Sequence, residues 1–193
     1  MSERRLLAVL GSPRETGITA AMLECVIKAA SASGWKVDRV DLYKKNIGFC
    51  RGCRVCLERG SCVQEDDIQE IAGLLKQCNA VVLAAPVYWA SVPGAVKNMF
   101  DRLLGTAMEE TAAFPRPRLS HSQSYVLLTA CNTPAPFAWM FGQSRGALRN
   151  MSEFFRTSGM SCKGKITCAN TGRKKELSGA QIRRLERCVK RLG

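Results

Sequence analysis

At 193 residues and 46% hydrophobic content, the chain has the size and apolar fraction of one well-packed domain, and nothing in it calls for a second. Its apolar runs fall short of the roughly 18 residues that suggest a membrane span. Residues 1–5 lead into a strand-like segment without a signal-peptide core, so an integral membrane protein is disfavoured and a cytoplasmic chain is expected. The formal net charge of +13 brings acidic partners into consideration, whether nucleic acid, an anionic surface or an acidic redox carrier.

Residues 6–10 are a short apolar run bounded by Gly11, which suits a central parallel strand covered on both faces. Ile18, Ala21, Met22, Cys25, Val26 and Ala29 then recur at helical spacing, and Gly34 stands where a left-handed C-terminal cap ends that helix. Residues 37–42 read as a second strand, followed at once by a cysteine-rich loop over 47–65. Asp66 or Asp67 caps the next helix, whose Ile68, Ile71, Ala72 and Leu75 face inward. Residues 80–85 are the strongest buried-strand signal. They end at Pro86, and a helix with Pro93 near its first turn carries Val96, Met99, Phe100 and Leu103 on one side. A fourth strand over 125–130, a helix over 142–158 and a fifth strand over 166–169 follow. Ser178 then caps a last helix with Ile182, Leu185, Val189 and Leu192 in one apolar stripe. Residues 105–122, with Pro115 and Pro117, are the longest irregular stretch and read as a surface flap or subunit contact.

Five strands alternating with five helices over residues 1–193 describe a single α/β domain on a doubly wound five-stranded parallel sheet, with helices on both faces. Two strand orders are common for this pattern, and both put the ligand beyond the carboxyl ends of the strands near the switch point. Much of the positive charge lies near the C-terminus, in Arg173, Lys174, Lys175, Arg183, Arg184, Arg187, Lys190 and Arg191. Without interleaved aromatics or a nucleic-acid motif, this is a solvated helix face, and no nucleic-acid partner is expected. His121, the only histidine, is expected at the surface, and Asp101 and Arg102 as a structural ion pair on one helix.

Ten cysteines without an export signal imply reduced thiols in metal or redox chemistry rather than a disulfide framework. Cys50, Cys53, Cys56 and Cys62 read C-x2-C-x2-C-x5-C, a spacing from which four thiolates can converge on one point when the backbone loops around it. Three cysteines in immediate succession favour an iron-sulfur cluster, with zinc, or plain buried thiols, as the alternatives. The last gap is longer than in a ferredoxin and no proline follows Cys62, so this is not a ferredoxin domain. Cys25, Cys78, Cys131, Cys162, Cys168 and Cys188 mostly fall on apolar faces and read as core.

Two further loops carry chemistry. The hydroxyl-rich turn 11–19 opens onto the first helix, presenting backbone N–H groups, hydroxyls and a positive helix end to a phosphate. It is neither G-x-G-x-x-G nor a P-loop, which disfavours a dinucleotide fingerprint and a nucleotide triphosphatase. Residues 86–94, after the best strand, set backbone groups beside Tyr88 and Trp89, as a flat heteroaromatic ring requires.

Together, G-S-P-R-x-x-G-x-T after the first strand, the cysteine cluster followed by Asp66 and Asp67, and P-V-Y-W with Lys97, Asp101 and Arg102 downstream resemble the flavodoxin-like NADPH-dependent FMN reductase and iron-sulfur flavoprotein family. The resemblance spans about residues 5–170. It implies FMN, its phosphate held by Ser12, Arg14, Thr16, Gly17, Ile18 and Thr19 and its ring set against Pro86, Val87, Tyr88 and Trp89. The loop from Thr129 through Cys131 and Asn132 to Thr133 would approach the ring's other side. Relatives often carry Asn where this chain has Ile18, which leaves a backbone contact there. For Cys50, Cys53, Cys56 and Cys62 the resemblance implies a [4Fe-4S] cluster exchanging electrons with FMN, in a homodimer or homotetramer, although other relatives keep several such cysteines without a cluster. The alternatives are a cluster-free NAD(P)H-dependent FMN or quinone reductase and a zinc-stapled binding protein. An acidic ferredoxin would suit the positive surface as electron partner.

Overall fold

The computed structural model describes residues 3–174 and 176–192, apart from the side chain of Trp139. Lys175 of the basic run, and residues 1, 2 and 193 at the ends of the expected domain, lie outside the described residues. Five parallel strands, β1 (Arg5–Leu10), β2 (Lys36–Asp41), β3 (Ala80–Pro86), β4 (Ser124–Ala130) and β5 (Ser161–Cys168), form one sheet in the order β2-β1-β3-β4-β5. The chain passes from β1 outward to β2 and then crosses to β3 on the other side, so the topological switch point lies between β1 and β3.

Strand alternation divides the core into two layers. Leu6, Ala8 and Leu10 of β1 pack with Met22, Leu23 and Val26 of α1 (Ile18–Ala32) and with Leu185, Cys188 and Val189 of α5 (Gly179–Val189). On the opposite face, Leu7 and Val9 meet α2 (Ile68–Gln77), α3 (Gly94–Arg102) and α4 (Gln143–Thr157) through Ile71, Met99, Met151 and Phe155. Gly34 has φ +79°, the left-handed conformation expected after α1. Ser178 forms a reciprocal capping box with Gln181 at the start of α5.

Several local expectations are corrected. β5 begins at Ser161 rather than near 166, because a polar edge strand carrying Lys163 and Lys165 has no apolar run to announce it. Ile182 lies on the exposed side of α5, and Cys188 takes the inward position beside Leu185 and Val189. Neither Asp66 nor Asp67 makes a full side-chain cap: Asp66 accepts from the Ile68 N–H, and Asp67 accepts from the Asn46 N–H in the preceding loop. Arg102 does not pair with Asp101; Asp101 pairs with Lys97, and Arg102 turns inward onto Asp66. The 105–122 stretch includes a short helix at its start (Leu104–Ala107) and an antiparallel pairing of Met108–Glu109 with Arg116–Pro117. Short helices also form at Val55–Arg59 and Ala135–Met140. Of the six cysteines assigned to the core, Cys78, Cys131, Cys168 and Cys188 are buried, Cys25 is half-buried and Cys162 is exposed on the edge strand.

Candidate flavin cleft and cysteine loop

The turn after β1 is shaped by close packing. The Gly11 N–H donates to the Ala84 carbonyl at 2.8 Å, and a Cβ there would lie 2.3 Å from Cγ2 of Val96 on α3. Glycine therefore lets α3 sit against the turn. Ser12 is buried, and its Oγ accepts from the Arg14 N–H at 3.2 Å, which folds the turn back toward the start of α1. That helix begins after Gly17 with no side-chain cap and no acidic residue in its first turn. Its first N–H groups are left facing outward in the manner that suits an anion.

Across the switch point, the segment after β3 closes a two-residue turn. Tyr88 and Ser91 exchange backbone hydrogen bonds of 2.9 Å each, with Trp89 at φ +50° and Ala90 at φ +56° between them. Two consecutive left-handed residues without glycine are strained conformations that the surroundings must hold. They are held from α4: a Cβ at Gly146 would lie 2.0 Å from the Ala90 carbonyl oxygen, and Asn150 Nδ2 donates to Ser91 Oγ at 2.7 Å. The turn thrusts the Trp89 side chain into solvent, fully exposed, with Tyr88 half-exposed beside it. The third wall follows β4, where Thr133 Oγ1 donates to Gln143 Oε1 at 2.6 Å and Thr171 Oγ1 donates to Asn132 Oδ1 at 2.8 Å.

These three walls enclose a cleft of about 600 Å³ at the carboxyl ends of β1, β3 and β4. Ser12, Arg14, Gly17, Ile18, Thr19, Pro86, Val87, Tyr88, Trp89, Cys131 and Asn132 all line it. Thr16 does not; it lines a groove between α1 and α5. Thr129 does not either: it lies fully buried within β4, its hydroxyl without a hydrogen-bond partner. Residues missed from sequence are Gln143, Thr171, Gly172 and Lys174, which reach the cleft from segments far along the chain. Among the described residues no carboxylate lines the cleft, and Arg14 and Lys174 bring positive charge to it, so charge, hydroxyls and an aromatic wall together fit a phosphorylated flavin.

The cysteine loop curls behind α3, with left-handed residues at Gly52, Arg54 and Gly60. Cys50 and Cys53 are exposed, Cys62 is half-buried and Cys56 is buried against α3's continuation, where a Cβ at Gly105 would lie 1.9 Å from the Cys56 carbonyl oxygen. Among the described residues, no three cysteine, histidine or acidic side chains converge closely enough to hold a metal ion, so the four sulfurs share one loop without meeting at a point. As a donor set they still fit a thiolate-bound cluster. Burial raises the Cys56 thiol pKa, and the charges of Cys62, Cys50 and Cys53 raise it further, a mutual repulsion that a bound cation would relieve. Burial also raises Cys62, but hydrogen bonds from the Gln64 N–H and the Arg102 guanidinium outweigh it and leave the thiol below its ordinary value.

The β2-β1-β3-β4-β5 sheet with a cleft at its switch point defines a flavodoxin-like protein. Residues 4–117 match the model of the NADPH-dependent FMN reductase family, and the chain belongs to that family. It is similar to an "Iron-sulfur flavoprotein" of Archaeoglobus fulgidus, 40% identical over 100 residues that are 52% of this chain and 46% of that protein. It is also similar to one of Methanocaldococcus jannaschii, 31% identical over 98 residues, 51% of each. The chain thus spans about half the length of the curated relatives it matches. Among solved structures, a NAD(P)H:quinone oxidoreductase from Methanothermobacter marburgensis superposes over all of both chains with a TM-score of 0.74 at 16% identity. An FMN-dependent NADH-azoreductase from Bacillus anthracis in complex with FMN gives 0.73 at 12% identity, over all of this chain and 99% of that one. At such identities the likeness establishes the fold.

Proposed function

We propose that the protein is an FMN-dependent oxidoreductase that passes electrons between a flavin in the switch-point cleft and a [4Fe-4S] cluster on Cys50, Cys53, Cys56 and Cys62. The observation carrying this is that one short element packs against both sites: α3 starts just past the aromatic turn and presses on the phosphate turn through Val96, while its far end carries Arg102, which touches Cys62. The match to relatives called iron-sulfur flavoproteins over about half of the chain supports it. Flavin and cluster would supply two-electron and one-electron chemistry respectively. The chain's own task is placement. Ser12, Arg14, Gly17, Ile18 and Thr19 would seat the phosphate; Thr16 can serve only through its backbone. Pro86, Val87, Tyr88 and Trp89 would set one wall for the ring, and Cys131 and Asn132 another.

NAD(P)H is proposed as a co-substrate and an acidic ferredoxin as a partner for the +13 surface. We place the protein in the cytoplasm as a homodimer or homotetramer of one flavodoxin-like domain; among the described residues no helix is long and apolar enough to cross a membrane. A second reading, a cluster-free NAD(P)H-dependent FMN or quinone reductase, is favoured by the four sulfurs not meeting at a point.

Anaerobic purification followed by a visible spectrum, with iron, sulfide, zinc and FMN quantified on one sample, separates the two. Flavin bands over a broad shoulder with about four iron per chain are expected; flavin without iron establishes the second reading, and zinc without flavin overturns both. Trp89→Ala is expected to weaken FMN binding roughly 2- to 12-fold, the equivalent of the ~0.5–1.5 kcal/mol of an aromatic stack. An unchanged dissociation constant and flavin fluorescence would remove Trp89 from the ring wall.

A further inference from the structure

Arg102 is the largest fully buried side chain among the described residues, and an unpaired guanidinium could not remain there. Its five N–H donors meet five acceptors. Nη1 donates to Asp66 Oδ2 at 2.8 Å and to the Gly48 carbonyl at 2.5 Å; Nη2 donates to Asp66 Oδ1 and to the Gln64 carbonyl, both at 3.1 Å; Nε donates to Cys62 Sγ at 3.2 Å. All of these acceptors belong to the segment that carries or flanks the four cysteines. One helical turn earlier, Asn98 grips the loop's entrance. Its Nδ2 donates to the carbonyls of Ile47 and Gly48, and its Oδ1 accepts from the Cys50 N–H at 3.3 Å. Residues four apart share a helix face, so α3 presents a polar pair to the loop between its apolar contacts.

We propose that Arg102 is a positioning residue for the cluster: it ties the loop's entrance to its exit and holds the Cys62 sulfur in place through an N–H···S hydrogen bond that persists when that sulfur ligates iron. This rests on the [4Fe-4S] reading above and deepens it by making the four ligands inequivalent. Cys62 is held by a buried cation, whereas Cys50 and Cys53 stand in solvent. Hydrogen bonds to ligating sulfurs stabilise the reduced, more negative cluster and raise its potential. The Cys62 corner is therefore tuned by a buried side chain, whereas Cys56 receives a backbone hydrogen bond from Gly105.

The test uses the whole chain, purified without oxygen, in wild-type form and as Arg102→Lys, which keeps the charge and loses the planar fork. At equal FMN content the variant is expected to lose iron to a chelator about tenfold more readily, as other supports of metal ligands do. Its remaining cluster is expected to show a reduction potential shifted to more negative values in an EPR-monitored titration. Wild-type iron retention and potential in Arg102→Lys would overturn this inference and leave the cluster standing. Wild-type protein with FMN but without iron would instead overturn the cluster reading and this inference with it. Should Arg102→Lys fail to fold, arginine labelled with 15N in the wild-type protein keeps the question open to measurement. Pulsed EPR of the dithionite-reduced cluster is expected to show an arginine nitrogen coupling, and its absence would overturn the hydrogen bond.

Discussion

Replacing Asp66 by alanine is expected to destabilise the protein by about 3–5 kcal/mol, because it strands a buried cation. The Arg102 side chain has no exposure and that of Asp66 is 13% exposed. The carboxylate takes both terminal nitrogens of the guanidinium in a fork, the geometry in which arginine pairs most strongly. Asp66 also accepts from the backbone N–H groups of Gly48 and Ile68, both at 3.0 Å, so the alanine variant leaves those donors short as well. Urea unfolding of the FMN-free variant beside wild type measures the loss; a change below about 1 kcal/mol would place the pair among ordinary surface bridges.

The same carboxylate gives the fold an acid limit. Burial raises its pKa, but the Arg102 hydrogen bonds, the two backbone donors and the guanidinium charge outweigh that and hold it below the ordinary 3.8. A group depressed in the folded state contributes its full stabilisation above its unfolded pKa and loses it as pH falls through the folded one. Stability at the wild-type Asp66 is therefore expected to hold from neutrality to about pH 4 and to fall below it. Asp66→Ala should flatten that acid limb, and an unchanged limb would assign acid unfolding to other carboxylates.

How much of this was legible from sequence follows from what each residue advertises. β3 was plain because residues 80–85 are apolar on both faces, as a central parallel strand requires. The first half of β5 was not, since an edge strand with serine and lysine carries no such run. Arg102 beside Asp101 looked like a local pair, and the real partner stands 36 residues earlier, across a loop whose path no periodicity reveals. One sign was present: Arg102 falls three residues after Met99 and four after Asn98, on the buried side of α3, where a lone cation must have a partner. The first two cleft walls could be read because each follows directly on a strand end. Gln143, Thr171, Gly172 and Lys174 come to the cleft from separate segments, and only the closed sheet brings them there.

Gly146→Ala is expected to weaken FMN binding by about tenfold or more, ~1.4 kcal/mol, while costing ~1–3 kcal/mol of stability. The added methyl would lie 2.0 Å from the Ala90 carbonyl oxygen and 3.2 Å from its carbon. Both are backbone, so no rotamer change relieves the clash. Either α4 retreats from the sheet, opening the packing of Ala147 and Met151, or the Tyr88–Ser91 turn moves with Trp89 and Ala90 already in left-handed conformations. The turn has less to lose, being exposed and held by few contacts, so the displacement is expected at the ring wall. Gly73→Ala on α2 is the matched control: a Cβ there meets nothing within 4 Å, and removing a helix-interior glycine should stabilise by ~0.5–1 kcal/mol without touching the cleft. Fluorescence titration of FMN into the two apoproteins reads the difference. Equal affinities with Gly146→Ala destabilised would mean that α4 gives way, and that the aromatic turn keeps its shape without help from Gly146.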